Sequence, residues 1–346
     1  MPLEDEEKLV QLGHGAGGLL QSELIEFITK TIIQKRVGDG VGVESFDDGA
    51  TIPLHNYDYD VVITADGHTI DPPVFPGGDL GKLSVCGTVN DLIMMGAKPL
   101  ALTSIVLIEE GVKFSFLKTI MDSFNATAEE AGVAIIAGDT KVMPKGSMKG
   151  MVITTTGIGI KPKSVKILDS NCKPDSKIII TGSIGDHGIA LLAKREGIQI
   201  QTDLISDVAH LTALYEIIKD QPGIFAMKDP TRGGLSATLN EWASKSNVSI
   251  WVNEQTLPIK KEVKAVADIL GLDPLEIANE GKAVICVDAI HAETLLAKIR
   301  TLPLGKDAQI IGEVKAERPK MVFMQNLLGG TRMIEMPMGE PIPRIC

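Results

Sequence analysis

Cysteine is scarce in this chain. The four that occur (Cys86, Cys172, Cys286 and Cys346) are scattered, with no C-x-x-C pair. That spacing excludes a disulfide framework and argues against a zinc site. Aromatic residues make up only 4%, so Leu, Ile, Val and Ala must pack a chain that is 44% hydrophobic. An excess of basic residues is also missing. The formal net charge is −11, the opposite of the surface that displaces counterions from nucleic acid. Its plain reading is solubility. No apolar run is long enough to span a bilayer. The opening Met1-Pro2-Leu3-Glu4-Asp5-Glu6-Glu7 lacks the basic start and apolar run of a signal peptide. The expectation is a cytoplasmic protein with no membrane or nucleic-acid partner. No G-x-x-x-x-G-K-[ST] occurs, which excludes a P-loop.

The chain has 346 residues, enough for two domains of ordinary size. Residues 61–66, 100–108, 133–137 and 149–158 read as strands. Helical periodicity covers 19–35, 79–95 and 115–131. After a polar, proline-containing stretch near 160–176, strands at 177–181, 248–252, 282–287, 308–314 and 320–325 alternate with helices at 188–196, 207–219, 234–245, 260–270 and 291–300. The fold class is therefore α/β (α+β), with two mixed α/β domains over 1–165 and 166–328. Residues 329–346 hold three prolines and show neither period. They read as a flexible tail.

Several segments carry candidate chemistry. Gly13-His14-Gly15-Ala16-Gly17-Gly18 matches G-x-G-x-x-G, but a dinucleotide site needs a preceding strand. A glycine-rich phosphate-covering flap is the better functional reading, with Gly15, Gly17 and Gly18 as its contacts; plain N-terminal flexibility is the alternative. Four aspartates say more: Asp48, Asp66, Asp91 and Asp139. Asp91 stands inside the apolar run Val89-Asn90-Asp91-Leu92-Ile93, where an unpaired carboxylate is costly. Each has a bland reading as a cap or turn. Together they suit magnesium, which takes carboxylates plus substrate phosphates. Gly182–Gly188 and Asp229-Pro230-Thr231-Arg232-Gly233-Gly234 are loop-to-helix junctions that suit anions. The alternatives are a tight turn for the first and an Arg232–carboxylate contact for the second. Cys346 ends an arm stiffened by Pro341 and Pro343, which restrict the free chain and lower the entropy lost on docking. Its thiolate is a nucleophile and acyl carrier.

Taken in order, His14-Gly15-Ala16-Gly17-Gly18, Phe75-Pro76-Gly77-Gly78-Asp79, Cys86-Gly87-Thr88-Val89-Asn90-Asp91, Gly138-Asp139-Thr140-Lys141-Val142 and Pro343-Arg344-Ile345-Cys346 resemble the motifs of the HypE family. Those proteins are carbamoyl dehydratases of nickel–iron hydrogenase maturation. The resemblance covers the whole chain, and the terminal motif is its most specific part. The others are shared more loosely with aminoimidazole ribonucleotide synthetase, selenophosphate synthetase and thiamine-monophosphate kinase. Asp66-Gly67-His68 departs from the family's Asp-Ser or Asp-Thr. The resemblance implies an ATP-binding N-terminal domain that dimerises through its sheet, with a second domain over the cleft. It implies that a carbamoyltransferase, HypF, loads Cys346, and that ATP phosphorylates the carbamoyl oxygen. Thiocyanate then forms on sulfur and passes as cyanide to iron on a HypC–HypD complex. Asp48, Asp66, Asp91 and Asp139 are expected to hold Mg2+ and ATP. Lys141 is expected at the phosphates or the carbamoyl oxygen, and Glu280 as the base for the nitrogen protons. For Glu280 a surface turn is the equal alternative. A relative that phosphorylates a small oxygen-containing substrate, such as a ribonucleotide amide or thiamine phosphate, is the rival enzyme reading. A nucleotide-sensing scaffold is the rival of another class.

Overall fold

A computed structural model describes residues 9–196, 204–326 and 328–339. Cys346 and the proline arm before it lie outside the described residues. The first domain runs α1 (Gly18–Thr31), β1 (Ala50–Pro53), β2 (Tyr59–His68), β3 (Val74–Phe75), β4 (Gly78–Asp79), α2 (Leu80–Met94), β5 (Lys98–Glu109), α3 (Phe114–Ala131), β6 (Ala134–Met143) and β7 (Met151–Pro162). The second runs β8 (Lys177–Ile180), α4 (Asp186–Arg195), α5 (Thr212–Ile218), β9 (Ile224–Lys228), α6 (Gly234–Lys245), β10 (Ser249–Asn253), α7 (Lys261–Leu270), β11 (Val284–Val287), α8 (Ala289–Ile299), β12 (Gln309–Lys315), β13 (Met321–Gln325) and β14 (Thr331–Ile334). The two main sheets have orders β1-β2-β7-β5-β6 and β14-β13-β10-β12-β8-β11-β9. Within them β5 runs parallel to β6, and β10 parallel to β13.

Helix α2 joins the domains. Asp79 caps it, its Oδ1 accepting from the Lys82 N–H at 2.9 Å, which satisfies an orphan donor of the first turn. Thirteen of its fifteen residues are buried, the pattern of a helix covered on all sides rather than on one face. Its Leu83, Val89 and Ile93 share one apolar cluster with Phe124 of the first domain and with Ile179, Met227 and Ile285 of the second. A second cluster around Trp242, Ile250 and Val284 fills the other side of the second sheet and contains Cys172 and Cys286. Both of these thiols and Cys86 are buried. Burial pushes the Cys86 and Cys172 thiols up, so neither supplies a nucleophile.

Three sequence readings change. The first helix stops at Thr31 rather than at 35; the β-branched Ile32-Ile33 pair follows, with Ile33 almost fully exposed. The helix expected from 207 begins at Thr212. Residues 209–211 are instead held by Asn90 of α2, which donates to the Ala209 carbonyl at 3.0 Å and accepts from the Leu211 N–H at 2.8 Å. The tail, read as lacking strand period from 329, contains β14, which pairs antiparallel with β13. Four residues are too short for periodicity to register.

Candidate active site

A cleft of about 830 Å³ opens between the two domains, a size suited to a nucleotide-sized ligand. Its wall takes Asp48 from the loop before β1, Thr64 and Asp66 from β2, Gly87 and Asp91 from α2, and Asp229, Arg232 and Glu280 from the second domain. The Thr64 hydroxyl donates to Asp91 Oδ2 at 2.8 Å. Asp66 lies 2.9 Å from the Nε2 of buried His68. A Cβ on Gly87 would stand 2.6 Å from that nitrogen and 3.1 Å from Asp66 Oδ2. Only glycine lets α2 approach this pair, which gives the Cys86-Gly87-Thr88 motif a steric reason. His68, the departure from the family pattern, thus serves as a buried partner for Asp66.

Burial and the surrounding carboxylates shape the electrostatics. Burial raises Asp91 well above the ordinary carboxylate range, and Asp229, Asp66 and Asp48 add to the effect. Asp229 is pushed up to about 8, first by burial and then by Asp48. Asp48 is pushed up to about 6 by burial, against the pull of Lys228. Burial also acts to raise Asp66, but His68 and then Arg232 outweigh it and hold the carboxyl below its usual value. Burial and mutual repulsion therefore favour the neutral form of Asp91 and Asp229 in the ligand-free cleft.

Beside the cleft lies a buried ion network. Lys228 Nζ reaches Asp48 at 2.7 Å, Asp169 at 3.0 Å and Glu241 at 3.3 Å. Lys245 reaches Asp169 at 2.7 Å, as does the Trp242 indole N–H. Burial alone would lower Lys228; the three carboxylates override it and keep it protonated. Asp48 belongs to the first domain and Lys228 to the second, and Asp47 of the first accepts from the Asp169 N–H of the second at 2.9 Å, so the network clamps the domains together. Lys228→Met would leave Asp48 and Glu241 without their cation and Asp169 with Lys245 alone. Removing one partner of a buried pair costs about 3–5 kcal/mol, and Lys228→Arg is expected to recover most of it. Urea denaturation of both variants checks this, and equal stability for all three proteins would remove the clamp.

Asp48, Asp66, Asp91 and Glu280 are brought together as expected. Glu280 is 3% exposed, which rules out the surface-turn reading. Its N–H donates to Asp207 Oδ1 at 3.1 Å, and its carbonyl accepts from Asn90 Nδ2 at 3.3 Å. Asp139 and Lys141 are not brought to the cleft of their own chain. Both lie on β6, an edge strand exposed along nearly its whole length. Gly15, Gly17 and Gly18 do not line the cleft either. Its α1 wall is Gln21, Ser22, Ile25 and Glu26, and residues 9–11 before the motif form no strand, so the dinucleotide reading fails. Sequence reasoning missed Asp229, Lys228, Asp169 and Glu241 as a group. Asp229 had a signal, a carboxylate just after a strand, but β9 itself went unrecognised.

Among the described residues no three His, Cys, Asp or Glu side chains stand close enough to hold a metal unaided. The wall nevertheless fits a cation that arrives with a polyphosphate. It has an excess of carboxylates, and Asp48 Oδ2 is buried without a hydrogen-bond partner.

A pH dependence follows. A carboxyl raised in the folded protein contributes stability at low pH that is lost as pH rises through its folded value. Asp48, raised from 3.8 to about 6, and Asp229, raised from 3.8 to about 8, therefore make the ligand-free protein melt progressively lower between about pH 4 and pH 8. Ligand that ionises them must release protons near neutrality, seen calorimetrically as a binding enthalpy that changes with the buffer. A flat melting profile together with buffer-independent heat would contradict this wall.

Comparison with known proteins agrees with the geometry. The N-terminal domain of AIR synthase related proteins matches residues 46–161, and their C-terminal domain matches 173–324. Fold and cleft thus define a two-domain protein of the AIR synthase related class. A putative hydrogenase expression/formation protein of Methanocaldococcus jannaschii is 49% identical over 96% of this chain and 98% of its own. The carbamoyl dehydratase HypE of Cupriavidus necator is 40% identical over 100% and 97%. Among solved structures, a HypE–HypF complex is 41% identical with TM-score 0.84, covering 91% of this chain and 99% of its own. HypE in complex with ATP is 37% identical with TM-score 0.79, covering 98% and 100%. The chain belongs to the HypE family of carbamoyl dehydratases. Among the described residues no helix is long and apolar enough to cross a membrane.

Proposed function

We propose that this chain uses Mg2+ and ATP to dehydrate a carbamoyl group carried on Cys346, in hydrogenase maturation in the cytoplasm. One observation carries the reading: the chain's own tail touches the cleft. Met336 is part of the cleft wall, and Cys346 is seven residues beyond Gly339, a span of at most about 25 Å. The thiol is thus tethered to the chain segment that shares the cleft wall with Asp91 and Glu280.

The chemistry needs what the wall offers. An amide oxygen is a poor leaving group. Transfer of the terminal phosphoryl group of ATP to the carbamoyl oxygen makes it a good one and gives ADP. Breaking that C–O bond releases phosphate. With both protons gone from nitrogen, the carbon is left triply bonded as S–C≡N. Glu280, held by Asp207 and Asn90 through its backbone, is the base for those protons. Asp48, Asp66, Asp91 and Asp229 would hold magnesium, which neutralises charge on the transferred group. Arg232 faces the same space as a further cation.

HypF as the loading partner, and a HypC–HypD complex as acceptor of the cyano group, complete the reaction. Asp139 and Lys141 act in it only through a homodimer. Edge strand β6, with exposed Ile135, Ile136 and Val142 and with Ile105 of neighbouring β5, is the surface for pairing with a second copy. Asp139 and Lys141 would then serve the partner's cleft.

Intact-mass analysis of the C-terminal peptide tests the reading. After incubation with HypF and carbamoyl phosphate, Cys346 is expected to carry a carbamoyl adduct that loses one water only when Mg-ATP is added. An unmodified Cys346 beside an active transferase would instead favour a diffusible substrate.

A further inference from the structure

The segment Gly17-Gly18-Leu19 has a neighbour that the nucleotide reading does not explain. A Cβ on Gly18, whose φ is +72°, would stand 1.9 Å from the Pro337 carbonyl oxygen. The Leu19 N–H donates to that same oxygen at 2.9 Å. A Cβ on Gly339 would meet the carbonyls of Gly17 and Gly13 at 2.9 and 3.0 Å. Pro337 and Gly339 are buried, while Met338 between them is exposed. Upstream, Ser236 and Asn240 of α6 donate to the Glu335 and Ile334 carbonyls at 2.8 and 3.2 Å. Residues 334–339 therefore form a strap pinned first to α6 and then to the glycine turn that opens α1.

We propose that Gly18 and the Leu19 N–H are positioning residues: they seat Pro337 and so fix the point from which the arm delivers Cys346 to the cleft. The proposal rests on Cys346 being the carbamoyl carrier, and it gives the glycine turn a role toward the arm. Without this seat the last anchor retreats to Glu335, and the stretch from the last anchor to Cys346 grows from seven residues to eleven. Tether length alone would then lower the effective concentration of the thiol by about twofold, following the −3/2 power of length. Loss of direction adds to that, since misplacing a reacting group by an ångström costs up to about a hundredfold.

Two variants test the seat. Gly18→Ala forces the strap away. Leu19→Pro removes the N–H and sets the ring Cδ against the Pro337 oxygen, with loss of a half-exposed leucine side chain; it does so at the second position of α1, where a helix tolerates proline, and the glycine before it adds no steric conflict. Each is compared with the parent protein in two single-turnover assays. In one, Cys346 is loaded by HypF. In the other, a synthetic peptide of residues 340–346 with an S-carbamoyl cysteine is supplied to the same proteins carrying Cys346→Ala. For the loaded tail the rate is expected to fall at least about tenfold, while peptide turnover and ATP affinity stay at the parent's values. An equal fall in both assays, or weakened ATP binding, would assign the glycines to the chemistry or the nucleotide and overturn the proposal. An unchanged tail rate in both variants would overturn it as well. If the parent converts neither substrate, the dehydratase reading fails. The seat is still judged separately by hydrogen exchange of residues 335–339, which must be faster in both variants.

Discussion

Replacing Cys346 with alanine is expected to abolish thiocyanate formation completely while ATP binds as before. In the proposed reaction the sulfur is the only atom of that side chain used, and the residues proposed to hold Mg-ATP lie in other segments. The three remaining cysteines cannot substitute, because Cys86, Cys172 and Cys286 are all buried in the apolar clusters. Mass spectrometry of the whole chain after HypF, carbamoyl phosphate and Mg-ATP gives the result directly. A cyano group on any other residue would overturn the arm model. The free HypF partner must be shown active in the same tube, so that a missing adduct reports on this chain alone.

Asp91→Asn should remove ATP turnover without disturbing the fold. The amide is nearly isosteric, and its oxygen can still accept from the Thr64 hydroxyl, which lies 2.8 Å from Asp91 Oδ2. Burial and the neighbouring Asp229, Asp66 and Asp48 already favour the neutral form of this carboxyl in the ligand-free protein. Asparagine therefore resembles the resting state, and the melting temperature at neutral pH is expected to hold or rise. Turnover differs because, on the proposed function, a magnesium held there would need the ionised oxygen. A lost contribution of several kcal/mol to stabilising charge on the transferred phosphoryl group, at about 1.4 kcal/mol per tenfold, amounts to at least a hundredfold. Steady-state ATP hydrolysis by loaded protein measures it. Activity near that of the parent would remove Asp91 from the metal site; a collapsed melting curve would mean the residue serves the fold.

Legibility from sequence followed the range of the forces involved. Hydrophobic period revealed α2, β5, α3 and β7 to within a few residues, because each repeats its pattern over ten or more positions. Short β1, β9 and β14 carried too few positions to register. Asp91 stood out because a carboxylate in an apolar helix violates the local pattern, and the structure supplies its reason in the polar cleft beside α2. Lys228, Asp169 and Glu241 violate nothing locally. Each is an ordinary charged residue on its own segment and becomes a buried clamp only where segments from both domains meet.

The sequence by itself determined the two-domain α/β architecture, the acidic residues Asp48, Asp66 and Asp91, and a family motif ending on Cys346, since these are matters of period, residue type and order. Tertiary structure alone decided three other things. It placed Asp139 and Lys141 on an exposed edge strand, it turned Glu280 inward, and it set Gly18 against the chain's own tail. Those outcomes depend on which surfaces pack together, and packing is decided between residues hundreds of positions apart, where no local pattern records it.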